Sequence, residues 1–410
     1  MSHDHLRLAF IGCGNIARRH IVAMKDLVDR GRGGFQVVAL CDANLDSAHA
    51  LAQTVKEQLD GAPTVYTSYE EMLSAEKLDG VDICLPHGLH HTVAIACMEA
   101  GVDVLCEKPI GVSVRAGRLM EQAAERTGRI LSIAVPHRRQ PGQRVAHWAL
   151  NQSGLMGSPL TFFHHYTRPP EPRDPNQPLP PRVVWRRNRL MSGGGMTLDS
   201  GFHYCDSIRY LLGDVDKVYA EMRELQSGRP VPVSERPEDT IYVTFTFKSG
   251  LVGVWNWSVA APGDARASVV FYGSEGSLED TTPSRFRIFH LFERRPELNE
   301  SGQLVRHDGS VLQMHELEAR YREQLNEAQS ELLFPGGSTD GFAIEIWEFL
   351  ELLRGNRTQP EVDAAEGIRS LALGDAIYES AFTGDVVRVD DILSGARRTF
   401  QESIDEHWGL

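Results

Sequence analysis

Residues 6–17 read Leu6-Arg7-Leu8-Ala9-Phe10-Ile11-Gly12-Cys13-Gly14-Asn15-Ile16-Ala17, and this stretch decides the first part of the fold. Its first six residues are an apolar run of strand length. The next six form a G-x-G-x-x-A turn that opens an amphipathic helix through Ile16 to Asp29, and Phe35 to Cys41 follows as a second apolar strand. One βαβ unit is then complete. In such a turn the first glycine permits a tight bend and the second lets the backbone approach a pyrophosphate. The small Ala17 lets helix and strand pack closely. The first helical residues, Asn15 and Ile16, bring free N–H groups and a positive dipole end toward the phosphates of a dinucleotide.

The pattern continues outward. Strand Val81–Leu85, helix His91–Ala100, strand Asp103–Cys106, helix Val114–Thr127 and strand Ile130–Val135 alternate, with Ser113 placed as an N-cap and Gly101 and Gly128 as helix ends. Near-continuous apolar strands separated by helices predict a doubly wound parallel sheet covered on both faces, an α/β Rossmann domain over residues 1–135. Asp42 ends the second strand. A carboxylate there accepts hydrogen bonds from ribose hydroxyls and repels a 2′-phosphate, and Ala43 and Asn44 bring no cation, so NAD is expected over NADP.

Residues 136–410 change character. Runs such as Val218–Arg223, Ile241–Phe247, Leu251–Trp257 and Ser268–Tyr272 succeed one another across short turns. Alternation of Ile241, Val243, Phe245 and Phe247 with Tyr242, Thr244 and Thr246 has period two, as expected of an open, mostly antiparallel sheet with one face on helices. This second α/β domain is expected to bind substrate. Aromatic residues on strands such as Leu251–Trp257 predict a homodimer or homotetramer formed through the sheet. Arg168–Arg182 is Pro-rich and expected as loop, and Gln313–Glu331 is expected as one charged helix within an excursion.

With 410 residues, two domains are the natural expectation. A net charge of −14 without a basic stripe argues against nucleic acid. No apolar stretch approaches the ~20 residues of a membrane span, and Met1–His5 lacks the features of a secretory signal, so a cytoplasmic protein is expected. Six cysteines without a CxxC pair read as reduced, buried thiols, and no metal site is expected.

Four further segments lie in register: Pro86-His87-Gly88-Leu89-His90, Cys106-Glu107-Lys108-Pro109, Gly193-Gly194-Gly195-Met196-Thr197-Leu198-Asp199-Ser200-Gly201-Phe202-His203, and Ile377-Tyr378-Glu379-Ser380. Together with the glycine turn, the chain resembles the Gfo/Idh/MocA family over nearly its whole length. The resemblance implies a Rossmann domain followed by an α/β domain on an open sheet, and NAD(P)-dependent oxidation or reduction of sugars, cyclitols and related polyols. It marks Lys108, Asp199 and His203 as catalytic, and places Pro86, His87, His90, Glu107 and Pro109 with the cofactor. His87 departs from the commoner asparagine of the family. His137 and Arg138 resemble a substrate-lining position.

The residues themselves fit such chemistry. Hydride transfer from a secondary alcohol needs a dinucleotide, a proton acceptor and a cation for the developing alkoxide. If the segment after Gly195 is helical, Asp199 and His203 share a face; His203 then accepts the proton, and Asp199 orients the substrate or the imidazole. Trp185 and Arg186 suit a sugar as aromatic platform and hydroxyl-binding guanidinium. The bland alternatives are an exposed Lys108, a capping Asp199 and a core His203. Two competing functions are a redox-neutral, NAD-dependent glycosidase of the same fold and a cofactor-binding regulator without turnover.

Overall fold

The computed structural model describes residues 5–170, 181–233, 237–280 and 302–410. By packing these fall into two compact units. The first holds residues up to Arg139, then 326–368 and 408–410; the second holds 140–325 and 369–407. The Rossmann segment is thus joined by a later piece of chain, whereas the sequence reading cut the chain once, after residue 135.

In the first unit, strands β1 (Leu6–Ile11), β2 (Phe35–Cys41), β3 (Thr64–Tyr66), β4 (Gly80–Ile83), β5 (Asp103–Glu107) and β6 (Leu131–Ala134) form one sheet. Its order is β3-β2-β1-β4-β5-β6 and each pairing is parallel. This is the doubly wound arrangement expected from residues 6–135. Order reverses between β1 and β4, the place where such sheets bind ligands at the carboxyl ends of their strands. Helices α1 (Asn15–Asp29), α2 (Leu45–Leu59), α3 (Tyr69–Ala75), α4 (His90–Glu99) and α5 (Val114–Thr127) make the connections. Asn44 caps α2, accepting from the N–H groups of Asp46 and Ser47, and Ser113 caps α5.

Helix Gly341–Leu353 completes this unit. Its Ala343, Ile346, Trp347, Phe349 and Leu350 join Ile21, Met24 and Leu27 of α1 in one buried cluster. At about 25 cal/mol per Å² of apolar surface, each of the Ile, Leu, Met and Phe side chains among them contributes about 1.5–3 kcal/mol when fully buried.

The second unit is built on a larger sheet. Its strands are β7 (Pro159–Thr167), β8 (Val215–Glu224), β9 (Val231–Pro232), β10 (Thr240–Phe247), β11 (Val252–Ser258), β12 (Arg266–Gly273), β13 (Gly276–Asp280), β14 (Gln303–Arg306), β15 (Val311–Gln313) and β16 (Val387–Arg388). They run β15-β14-β13-β12-β7-β11-β10-β8-β16, with β9 beside β8. In this sheet only β7 and β11 pair in parallel among the described residues. Helices Gly201–Leu212 and Ala364–Thr383 carry buried apolar residues, among them Ile208, Leu211, Leu373 and Ile377.

Two expectations need correction. Gln313–Glu331 is not one helix but two, Met314–Glu323 and Glu327–Leu333, because Asn326 and Gln329 close a capping box that starts the second. On β11, Trp255 and Trp257 face the core, so the aromatic residues cited for a subunit contact are buried. The face left exposed instead carries Leu160 and Phe163 of β7, Tyr219 of β8, Tyr242 of β10, Val252 of β11 and Tyr272 of β12. The Pro-rich segment lies largely outside the described residues, as do residues 281–301 of the excursion. No helix among the described residues is long and apolar enough to cross a membrane.

Candidate active site

The glycine turn sits at the reversal point of the first sheet. Gly12 has φ +95°, and a Cβ there would lie 2.3 Å from the Cys84 carbonyl oxygen just after β4, so only glycine fits. Its N–H donates to the Cys41 carbonyl at 2.8 Å. Gly14 is the N-cap of α1 and makes no side-chain cap bond; it and Asn15 are exposed, with Ile16 half-buried and Ala17 buried. The first-turn N–H groups of α1 therefore stand without a capping side chain, as an anion-binding helix end requires. Asp42 closes the turn: one carboxylate oxygen accepts from the Cys13 N–H and the other from the Asn44 N–H, both at 2.8 Å. Asn44, not Asp42, caps the following helix. These residues fit a dinucleotide, with no side chain where its pyrophosphate would approach Gly14 and a carboxylate at the end of β2.

After β4, Pro86 leads into a single helical turn His87–Leu89. His87 and His90 are buried, their rings 5.8 Å apart. Both His90 nitrogens stand 2.8 Å from carbonyl oxygens, Nδ1 from Pro109 and Nε2 from Leu85. After β5, the buried Glu107 accepts the Lys108 N–H at 3.0 Å; Lys108 is half-buried and its peptide to Pro109 is cis. His137 and Arg138 lie on the short helix α6 (Pro136–Arg139) and are buried rather than a surface pair; Arg138 meets Glu366 at 3.3 Å.

Beneath the Glu107-Lys108 turn lies a cluster the sequence reading missed. His20 on α1 is fully buried, with Nδ1 2.7 Å from Asp82 and Nε2 3.2 Å from Glu107 and 3.7 Å from Glu345. Burial opposes its charge, but the two nearer acids outweigh burial and hold the imidazole well above its usual range. Glu345 is pushed well above the usual carboxylate range, chiefly by burial. Arg139 meets Glu348 at 3.0 Å and Glu345 at 3.6 Å. Among the described residues, His20, Asp82 and Cys84 are the one group that gathers metal-type ligand atoms, within 4.8 Å. They bond to one another instead: the Cys84 thiol, raised by burial, donates to Asp82. One signal could have revealed the cluster, namely Glu345 and Glu348 three apart in a mostly apolar helix.

In the second unit the triple glycine is required by close packing. A Cβ on Gly194 would come within 2.7 Å of the Tyr378 ring, and one on Gly195 within 2.5 Å of Glu238. The Gly195 N–H donates to the Tyr378 hydroxyl at 2.6 Å, and that hydroxyl donates to Glu238 at 2.5 Å. Glu238 also accepts the Thr197 N–H and hydroxyl, at 2.8 and 2.9 Å, which fixes the start of helix Met196–Asp199. Burial raises the Glu238 carboxyl despite these donors. Sequence reasoning missed Glu238; it precedes β10 in a polar stretch with no periodic signal.

Ser200 keeps helical angles between Met196–Asp199 and Gly201–Leu212, so the four-residue spacing of Asp199 and His203 is a helical one. His203 is buried. Asp199 accepts from the Arg186 Nε at 2.7 Å, and the Arg186 guanidinium lies 4.4 Å over the Trp185 ring. The structure thereby brings together three residues that the sequence reading singled out separately. A cavity of about 500 Å³ is lined by Arg186, Arg187, Asp199, Glu238 and Gln226. Asp206 is buried and accepts the Ser370 hydroxyl, a supporting contact within its own unit.

Known proteins agree with this geometry. Residues 6–135 match the oxidoreductase family with NAD-binding Rossmann fold, and residues 125–279 match the GFO/IDH/MocA C-terminal domain. The D-apiose dehydrogenase of Paraburkholderia graminis is 30% identical over 68% of this chain and 68% of its own length. The 1,5-anhydro-D-fructose reductase of Ensifer adhaerens is 25% identical over 94% of this chain and 98% of its own. The WlbA dehydrogenase from Chromobacterium violaceum, solved with NADH and UDP-GlcNAcA, superposes with a TM-score of 0.70 at 25% identity, covering 95% of this chain and 97% of that one. From the glycine turn to the second sheet, this chain belongs to the Gfo/Idh/MocA family of NAD-binding oxidoreductases.

Proposed function

We propose that the chain transfers a hydride between NAD and a secondary hydroxyl or ketone of a sugar, sugar derivative or cyclitol. The observation that carries the reading is the glycine turn at the sheet reversal, backed by Asp42 and followed by Glu107-Lys108-Pro109 at the end of β5. Bound NAD would supply the hydride acceptor, held by Gly12, Gly14, Asn15, Ile16, Ala17 and Asp42. Lys108 stabilises negative charge on the substrate oxygen, His203 takes its proton, and Asp199 orients the substrate. Trp185 with Arg186 serves as sugar platform, and His137 and Arg138 line the substrate. Relatives named as dehydrogenases and reductases favour this over the redox-neutral glycosidase and the regulator. Six buried, unpaired cysteines suit a reducing compartment, the cytoplasm.

Steady-state kinetics with NAD, NADP and a polyol panel test the reading, beside NAD titration by fluorescence. NAD should be preferred, and Lys108→Ala and His203→Ala should each lower kcat by ~10²- to 10⁴-fold while still binding NAD. Normal kcat in His203→Ala, or a defect confined to NAD binding, sinks its role as base.

The exposed apolar face of the second sheet supports a homo-oligomer. Phe163 and Tyr242, each about half exposed, are its most exposed aromatic residues. Light scattering at micromolar concentration should give a multiple of the chain mass, lowered by Phe163→Lys with Tyr242→Lys. A monomer mass for the unaltered protein rules the proposal out.

A further inference from the structure

Lysine carries its ammonium on a flexible four-carbon stem, so what fixes its backbone matters for where the charge stands. Two fully buried histidines flank Lys108 on either side. On one side Glu107 accepts the Lys108 N–H with one oxygen and faces His20 with the other. On the other, His90 joins the Pro109 carbonyl to the Leu85 carbonyl, tying the turn after β5 to the turn after β4.

Acids gather around two buried cationic groups: Asp82 and Glu107 face His20, while Glu348, Glu361 and Glu345 act on Arg139, with Arg357 3.8 Å from Glu348. Burial pushes the Glu345 carboxyl well above its usual range. A neutral His20 would leave Glu107 and Asp82 buried beside a ring able to donate to only one of them. We propose that His20, acting through Glu107, and His90, acting through the Pro109 carbonyl, are positioning residues that hold Lys108 in its working place. The proposal rests on the reading that Lys108 serves hydride transfer.

Opposing influences meet at His90. Burial pushes its pKa below the usual range, whereas only a doubly protonated ring donates to both carbonyls. Glu107 on β5 favours the proton; Lys108 disfavours it, and His87 and His91 lie beside the ring on its own segment. Facing His20 are Asp82 on β4, Glu107 on β5 and Glu345 on helix Gly341–Leu353, with Cys84 behind Asp82.

A double-variant cycle on the full chain separates positioning from mere support. His20→Gln and His90→Gln should each lower kcat per NADH-binding site by about ten- to hundredfold, the loss expected of a misplaced group, and His20→Gln should leave NADH affinity within about threefold. In a Lys108→Ala background the same changes should cost less than about twofold, since the group they position is gone. Losses that multiply in that background, or unchanged kcat in both single variants, overturn the proposal. A Lys108→Ala protein with normal kcat defeats the underlying reading instead. Should the variants fail to fold, nitrogen NMR of the histidine-labelled protein decides: both ring nitrogens of His20 should carry protons at neutral pH, and a neutral ring overturns the clamp.

Discussion

Both units bury acids at their centres, and they do so by opposite means. In the first, Glu107, Asp82 and Glu348 meet the cations His20 and Arg139. In the second, among the described residues, Glu238 meets neutral donors: the Tyr378 hydroxyl, the Thr197 hydroxyl and a backbone N–H. Nearby in the same unit, both carboxyl oxygens of Asp375 are buried without a hydrogen-bond partner, and burial together with Asp405 and Glu379 raises its pKa well above the usual range. Ion pairs hold Asp82, Glu107 and Glu348 under the cofactor loop, whereas burial raises the carboxyls of Glu238 and Asp375 in the second unit.

Removing a counter-charge should therefore do more damage than removing a hydroxyl. Arg139→Leu leaves Glu348 buried without its nearest cation and should destabilise by ~3–5 kcal/mol, read from urea unfolding. A loss below about 1 kcal/mol would mean that Arg357 alone compensates. Next in size, Tyr378→Phe keeps the ring that packs against Gly194 but removes one donor to Glu238 and the acceptor for the Gly195 N–H. Its expected loss is ~1–3 kcal/mol, and a loss equal to that of Arg139→Leu would erase the contrast.

The smallest effect concerns Asp375 and has a sign set by linkage. Its raised pKa means that the folded protein keeps a proton that the unfolded chain releases above about pH 4. Stability is therefore lost as pH rises from there through the folded value. Asp375→Asn should flatten that slope, raising Tm at pH 8 more than at pH 5. A variant that lowers Tm equally at both values would show that the carboxyl is ionised in the fold.

Much of the first sheet was legible because its signals are local: an apolar run, a glycine turn and a helix fall within residues 6–29. Period two in Ile241–Phe247 announced the second sheet in the same way, and Tyr242 lies on its exposed face as that alternation requires. Trp255 and Trp257 were misread because an aromatic residue on a half-covered strand marks neither face by itself; their register opposite Val243 and Ile241 puts them inside. His20 was invisible for a different reason. A single histidine on an amphipathic helix has no spacing signature, and its partners Asp82 and Glu107 lie 62 and 87 residues away. Arg186 and Asp199 are each legible as candidates, but they stand 13 residues apart with the turn at Gly193, φ +81°, between them, and no spacing rule predicts a contact across it.

Helix Gly341–Leu353 has a consequence for the protein's birth on the ribosome. It supplies Glu345 and Glu348 to His20 and Arg139, and part of the apolar cover of α1. At ~5–20 residues per second, roughly 10–40 s pass between the synthesis of Arg139 and that of Leu353. Throughout that interval the nascent Rossmann segment shows the uncovered side of Ile21, Met24 and Leu27 to its surroundings. A nascent chain halted at residue 325 should therefore recruit chaperones and resist folding, while one released after residue 368 should not.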